Sequence, residues 1–132
     1  MDERKSGVRK VCDLDIKKYQ CAAPDIRSSE VILTEERICH IRERHPLDFE
    51  RYAGYLKEII ENPDYIIEDE RPGTAIVLKQ IEEQGERFRL ALRLLTPADH
   101  PAYKNSILTF LKIREKEWNR LVRNKKILYK AE

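Results

Sequence analysis

Residues 86–95 read ERFRLALRLL, and this alternation constrains the fold more than any other segment of the chain. In an extended strand successive side chains point to opposite faces. Phe88, Leu90, Leu92 and Leu94 therefore share one face, and Arg87, Arg89, Ala91 and Arg93 the other. The leucine face has to be buried, and helices are expected to cover it. The arginine face is then expected to look toward solvent or a ligand. A guanidinium binds phosphate through a planar fork of donors, so three arginines around a small alanine would form a cationic floor for a phosphodiester. The alternative is a solvated strand face whose arginines pair with Glu82, Glu83 and Glu86.

The neighbouring segments fit a sheet with segregated helices. Val31-Ile32-Leu33 reads as a short strand, followed by Thr34 as an N-cap and Glu35 and Glu36 in a first helical turn. That helix should run to about His45, where Pro46 ends it. A second should start at Asp48 as N-cap, with Phe49, Tyr52, Leu56, Ile59 and Ile60 on one face, and end at Asn62-Pro63. The period then changes. Strands are expected over 65–68, 74–81, 86–95 and 105–113, with a turn at Arg71-Pro72-Gly73, a hairpin at 82–85 and a loop at 96–104. Residues 115–126 return to helical spacing, with Trp118, Leu121 and Val122 on one side. The expected fold class is α+β: N-terminal helices packed on a four-stranded antiparallel sheet, with a C-terminal helix. Residues 1–29 form a lead-in that opens with a loose polar tail over 1–7, and residues 30–132 form the domain.

The net charge of +2 hides an uneven distribution. Residues 104–132 hold nine Lys and Arg against three Glu, whereas the rest of the chain is slightly acidic. A basic end on an acidic body suits an anionic partner. No apolar run approaches the length of a membrane span, and the N-terminus lacks the apolar core of a signal peptide, so a cytoplasmic protein without a membrane partner is expected. Cys12, Cys21 and Cys39 are odd in number and contain no CxxC pair, which suits free thiols. There is no glycine-rich phosphate loop and no carboxylate cluster for magnesium. No cofactor or metal is expected.

The first helix holds the segment ICHIRERHP, with His40 and His45 flanking arginines. Imidazole can take a proton and return one, which suits general acid–base work. Five-residue spacing does not place both rings on one helix face for zinc. The bland alternative is that His45 closes the helix and His40 lies on the surface. Lys79, Lys104, Asn105, Ser106 and Thr109 add donors on adjacent strands, which could hold a phosphate as its charge shifts. Tyr103 could stack on a base, whereas Tyr65 and Trp118 fit core positions better.

Taken in order, EVILTEERICHIRERHP, ENPDYIIED, GERFRLALRLLT, YKNSILTFLKI and RLVRNKKILYK resemble the phage-associated barnase–EndoU–colicin–RelE-like nuclease domains, over roughly residues 30–130. The resemblance implies helices followed by a four-stranded antiparallel sheet whose open face cleaves RNA. It implies metal-free attack of the ribose 2′-hydroxyl on the adjacent phosphate. The family's helix motif falls on His40, Arg44 and His45, its strand arginines on Arg89 and Arg93, and its last-strand hydroxyls on Ser106 and Thr109.

The leading expectation is a metal-independent endoribonuclease. His40 or His45 would be the general acid or base, Arg89 and Arg93 would stabilise the phosphorane, and Thr109 and Lys79 would orient the phosphate. Arg44, Arg87, Lys104, Asn105 and Ser106 would bind substrate. Arg114, Arg120, Arg123, Lys125 and Lys126 on the last helix would steer RNA through counterion release. The partners would be RNA and an immunity or antitoxin protein. The alternative is a non-catalytic module that binds nucleic acid or protein on the same fold.

Overall fold

The computed structural model describes residues 7–81, 85–100 and 102–132. The polar tail over 1–6 and the hairpin residues 82–84, with the pairing expected for Glu82 and Glu83, lie outside the described residues.

Seven strands form one mixed sheet: β1 (Val8–Asp13), β2 (Glu30–Thr34), β3 (Tyr65–Glu68), β4 (Thr74–Ile81), β5 (Glu86–Arg93), β6 (Asn105–Ile113) and β7 (Ile127–Lys130). Their order is β1-β2-β6-β5-β4-β3-β7, and β2 with β6 is the parallel pair. The expected four-stranded antiparallel meander is the centre of this sheet. The correction is that the segments on either side extend it. Val8–Asp13 pairs antiparallel with β2, and Ile127–Lys130 pairs antiparallel with β3.

The helices are α1 (Ile16–Tyr19), α2 (Glu35–Arg44), α3 (Asp48–Tyr52), α4 (Leu56–Glu61) and α5 (Glu115–Asn124). Thr34 caps α2, its hydroxyl accepting the Arg37 N–H at 3.2 Å. The expected single helix from Asp48 is two, α3 and α4, joined by a 3-10 turn over Ala53–Tyr55. Asp48 is not its cap. Leu47 holds that position at φ 75, and the Asp48 carboxylate instead accepts the Lys112 N–H at 3.2 Å. No helix among the described residues is long and apolar enough to cross a membrane.

The main core lies on the leucine face. Ile38 and Ile41 of α2, Phe49 and Tyr52 of α3, and Ile59 and Ile60 of α4 pack on Phe88, Leu90, Leu92, Ile107 and Phe110. Phe88 meets Tyr52 edge-on at 5.1 Å and Phe110 stacked at 5.6 Å. Burying a side chain of this size contributes about 2–3 kcal/mol.

The arginine face is not open along its whole length. Leu121, with Trp118 and Val122 of α5, packs there on Ile67, Ile76, Leu78, Ala91 and Ile113. Trp118 meets Tyr65 edge-on at 5.9 Å, and both aromatics, partly buried, pack against this second cluster. The signal for two-sided burial was the unbroken run Thr74–Leu78, every residue of which is buried. Ile76 and Leu78 lie opposite Ala91 and Arg89 in the ladder, and they need a cover on that face.

Candidate active site

The arginine row is paired within the chain. Arg87 Nη2 donates to Glu115 Oε2 at 2.9 Å, and Arg89 Nη1 lies 3.8 Å from Glu117 Oε1. Both acids stand in the first turn of α5, where the helix dipole favours them. Glu117 also holds Arg120, and that hydrogen bond is the main reason its carboxyl is depressed below the ordinary range. The floor that strand alternation led us to expect is therefore covered over Arg87 and Arg89 by the helix and neutralised by it.

Arg93 organises a loop. Its Nη1 donates to the carbonyls of Pro72 and Leu94, at 3.3 and 3.2 Å, and its Nη2 donates to Asp99 Oδ1 at 2.5 Å. The other Asp99 oxygen accepts the Thr96 N–H at 2.8 Å and its hydroxyl at 3.2 Å. Thr96 to Asp99 is a tight turn with Pro97 at its second position, closed by the Asp99 N–H to the Thr96 carbonyl at 2.9 Å. The Thr96 N–H first, then the Arg93 charge, hold the Asp99 carboxyl below its usual range. The structure thus uses the Arg93 fork to set the course of the loop.

Asn105 has a similar task and is not placed to bind substrate. Fully buried, it accepts the Leu95 N–H at 2.7 Å and donates to the carbonyls of Ser28 and Glu30 at 2.5 and 3.0 Å. It ties three chain segments together at the start of β6.

Lys79 faces away from the arginines. It lies opposite Phe88 in the ladder, and its ammonium is 3.5 Å from Asp64 and 3.8 Å from Glu58. The histidines of α2 are also on the leucine side, because Ile38 and Ile41 direct that helix into the main core. His40 is half-buried on the helix surface beside Glu36, Arg37 and Glu43, and Arg44 is exposed in the last turn. His45 caps α2, its N–H donating to the Ile41 carbonyl at 2.8 Å. The sheet separates His40, Arg44 and His45 from Arg89 and Arg93, so the expected grouping of these residues is not assembled. Strand alternation and helix spacing place side chains within each element, but not elements across a sheet.

What the arginine face does assemble is a groove of about 740 Å³ at its far end, beyond α5. Ile32, Arg93 and Ser106 form its floor, and Tyr103 and Lys104 form its wall. Ser106 lies opposite Arg93 in the ladder and beside Ile32 in the parallel pair. Thr109, opposite Ala91, lies on the same face between the groove and α5. Lys104 is exposed, with Glu30 at 3.6 Å. His100, which sequence reasoning did not single out, stands exposed in the same loop with its ring 5.6 Å from that of Tyr103. Its Nδ1 accepts the Ala102 N–H at 3.1 Å, so the neutral ring carries its proton on Nε2. The available signal was local: a histidine three residues before Tyr103-Lys104, in the loop that leaves the arginine strand. An ammonium and a hydroxyl in one groove can hold a phosphate, and an imidazole beside the groove's Tyr103 can move protons.

A family model described as phage-Barnase-EndoU-ColicinE5/D-RelE like nuclease2 matches residues 15–130. No curated protein and no solved structure matches the chain.

Proposed function

The chain belongs to this phage-associated nuclease family, and on that premise we propose that it is a metal-independent endoribonuclease whose centre is the groove beside Arg93. The observation that carries the reading is the groove that Arg93, Tyr103, Lys104 and Ser106 line on the part of the sheet that no helix among the described residues covers, with the His100 ring at its edge, 5.6 Å from that of Tyr103. Substrate would be cleaved by attack of a ribose 2′-oxygen on the adjacent phosphorus. The 2′-O–P bond forms, the P–O5′ bond breaks, and the products are a 2′,3′-cyclic phosphate and a 5′-hydroxyl. His100, released at Nδ1 from the Ala102 N–H and carrying its own proton there, takes the 2′-hydroxyl proton on Nε2 and returns it to the departing 5′-oxygen. Lys104 and the Ser106 hydroxyl stabilise charge on the phosphoryl oxygens. Arg93 is a positioning residue, and Thr109 extends the polar floor toward α5. Arg114, Arg123, Lys125 and Lys126 at the C-terminal end draw the strand in through counterion release. An immunity or antitoxin protein would block the same groove.

A second reading keeps the nuclease activity but centres it on α2, with His40 or His45 as the acid–base group and Arg44 on the phosphate. It is favoured by Arg37, His40 and Arg44, which follow one another along one side of that helix. One experiment separates the two. Unstructured RNA is incubated with purified protein in EDTA and the ends are analysed. We expect cyclic phosphate ends and a loss of about 10²–10⁴ in rate for His100→Ala, with His40→Ala and His45→Ala near wild type. Loss confined to the latter pair would move the centre to α2. RNA that is bound in a salt-sensitive manner but left intact would indicate a binding module instead.

A further inference from the structure

The groove has a neighbour. A second hollow, of about 390 Å³, lies on the other side of Tyr103 and Lys104 and shares Leu95 and Asp99 with the first. Arg27, Ser28, Thr96 and Pro97 complete it. Tyr103 and Lys104 thus form a ridge between two compartments. Tyr103 is 63% exposed, the highest value among the large apolar side chains of the described residues. An aromatic ring left in water at the mouth of a groove has a ligand-facing surface that core packing does not explain. The His100 ring lies beside it, 5.6 Å away and tilted by 42°.

Both compartments are built on the same clamp. The Asn105 side chain binds Leu95, Ser28 and Glu30, which contribute to the smaller hollow, to the larger groove or to both. The Arg27 N–H donates to the Leu95 carbonyl at 3.0 Å, which fixes the smaller hollow's wall. Their spacing is therefore set before any ligand arrives, as binding without a large ordering cost requires. The walls are chemically mixed. Val8, Ile32 and Leu94 offer apolar surface in the larger groove, and Lys104 and Arg27 supply positive charge on the two sides, with the Glu30 carboxylate 3.6 Å from Lys104 and Asp99 held by Arg93. Apolar walls, an exposed aromatic edge and flanking cations suit unstacked bases joined by a phosphate.

We propose that Tyr103 is a base-stacking post and that the two hollows seat successive nucleotides of a single RNA strand, with Lys104 on the phosphate between them. The inference rests on the nuclease reading for its ligand and goes beyond it in the form of substrate: unpaired RNA is taken and a duplex is not. A duplex keeps its bases stacked on one another and cannot offer one to the ridge.

The test measures binding and cleavage separately. Binding is followed by anisotropy of a labelled, non-cleavable 2′-O-methyl oligonucleotide, single-stranded or annealed to its complement. Cleavage is followed on the matching RNA. Tyr103→Ala is expected to weaken binding and raise KM by roughly 5- to 150-fold, with kcat changed much less. Tyr103→Phe, which keeps the ring, is expected to stay within about twofold of wild type. The annealed oligonucleotide is expected to bind at least tenfold more weakly than the single strand. Unchanged binding by Tyr103→Ala at an unchanged melting temperature overturns the proposal, and so does equal affinity for single strand and duplex. If wild type leaves RNA intact but binds the single strand through Tyr103, the nuclease reading fails and the stacking post stands. If Tyr103→Ala cleaves with unchanged KM, the post fails and the nuclease reading stands.

Discussion

Replacing Gly73 by alanine tests how the groove is held together. Gly73 has φ +72 in the turn that ends the approach to β4, and an L-residue there costs about 1–2 kcal/mol. A Cβ at this position would also overlap Arg93 Nη1 and stand 3.3 Å from Cζ. The guanidinium would have to move, giving up its bonds to two carbonyls and to Asp99. Hydrogen bonds to a charged group contribute about 1.5–3 kcal/mol when sheltered, and the roughly one-third exposure of Arg93 reduces this to about 1–2 kcal/mol in total. The expected cost of Gly73→Ala is therefore about 2–4 kcal/mol. Gly85→Ala is the control, because Gly85 has φ +68 and nothing within 4 Å of a new Cβ. It should cost only the conformational ~1–2 kcal/mol. Urea denaturation followed by the single tryptophan, Trp118, gives both values. Adding Arg93→Ala to Gly73→Ala should be less damaging than the sum of the two, by about 1–2 kcal/mol, since the clash has gone. Equal costs for Gly73→Ala and Gly85→Ala, or additive behaviour with Arg93→Ala, would refute the assignment of Arg93 as the clamp of this loop.

Asn105→Ala should destabilise the protein by about 2–4 kcal/mol, because it removes three hydrogen bonds and strands the buried Leu95 N–H; a urea midpoint unchanged from wild type would contradict its role as a tie. The Asp99 carboxyl is depressed below its ordinary value of 3.8, so the unfolded chain takes up its proton at higher pH than the folded one. Its contribution is complete above the ordinary value and disappears as pH falls through the lower folded value. Limited proteolysis of the 96–104 loop should accelerate only as pH drops below about 4, and Asp99→Asn should show the accelerated rate already at neutral pH.

The sequence by itself determined the central elements and which side chains share their faces, but not the flanking strands Val8–Asp13 and Ile127–Lys130. Alternation in β5 separated Phe88, Leu90 and Leu92 from the arginines, as the ladder shows. Helical spacing sent Ile38, Ile41, Ile59 and Ile60 into one core. Thr34 marked the start of α2 through a bond formed within four residues. These outcomes depend on short-range geometry, which periodicity and capping express directly. The candidate site was legible only in part: Ser106, Thr109 and Lys104 were placed near Arg93, whereas His100 was passed over as a loop residue.

Only the tertiary structure decided which elements meet. It placed α5 on the arginine face, where Glu115 and Glu117 neutralise Arg87 and Arg89. It placed His40 and His45 across the sheet from those arginines, and turned Arg93 and Asn105 into supports for a loop. The segments they tie are far apart in the chain, as with Asn105 and Ser28, and no local pattern encodes such a meeting. The physical reason lies in β4. With Ile76 and Leu78 apolar on the second face, the sheet could not leave that face to water, and the amphipathic C-terminal helix was the element available to cover it. What remained uncovered, from Arg93 to Tyr103, is the groove.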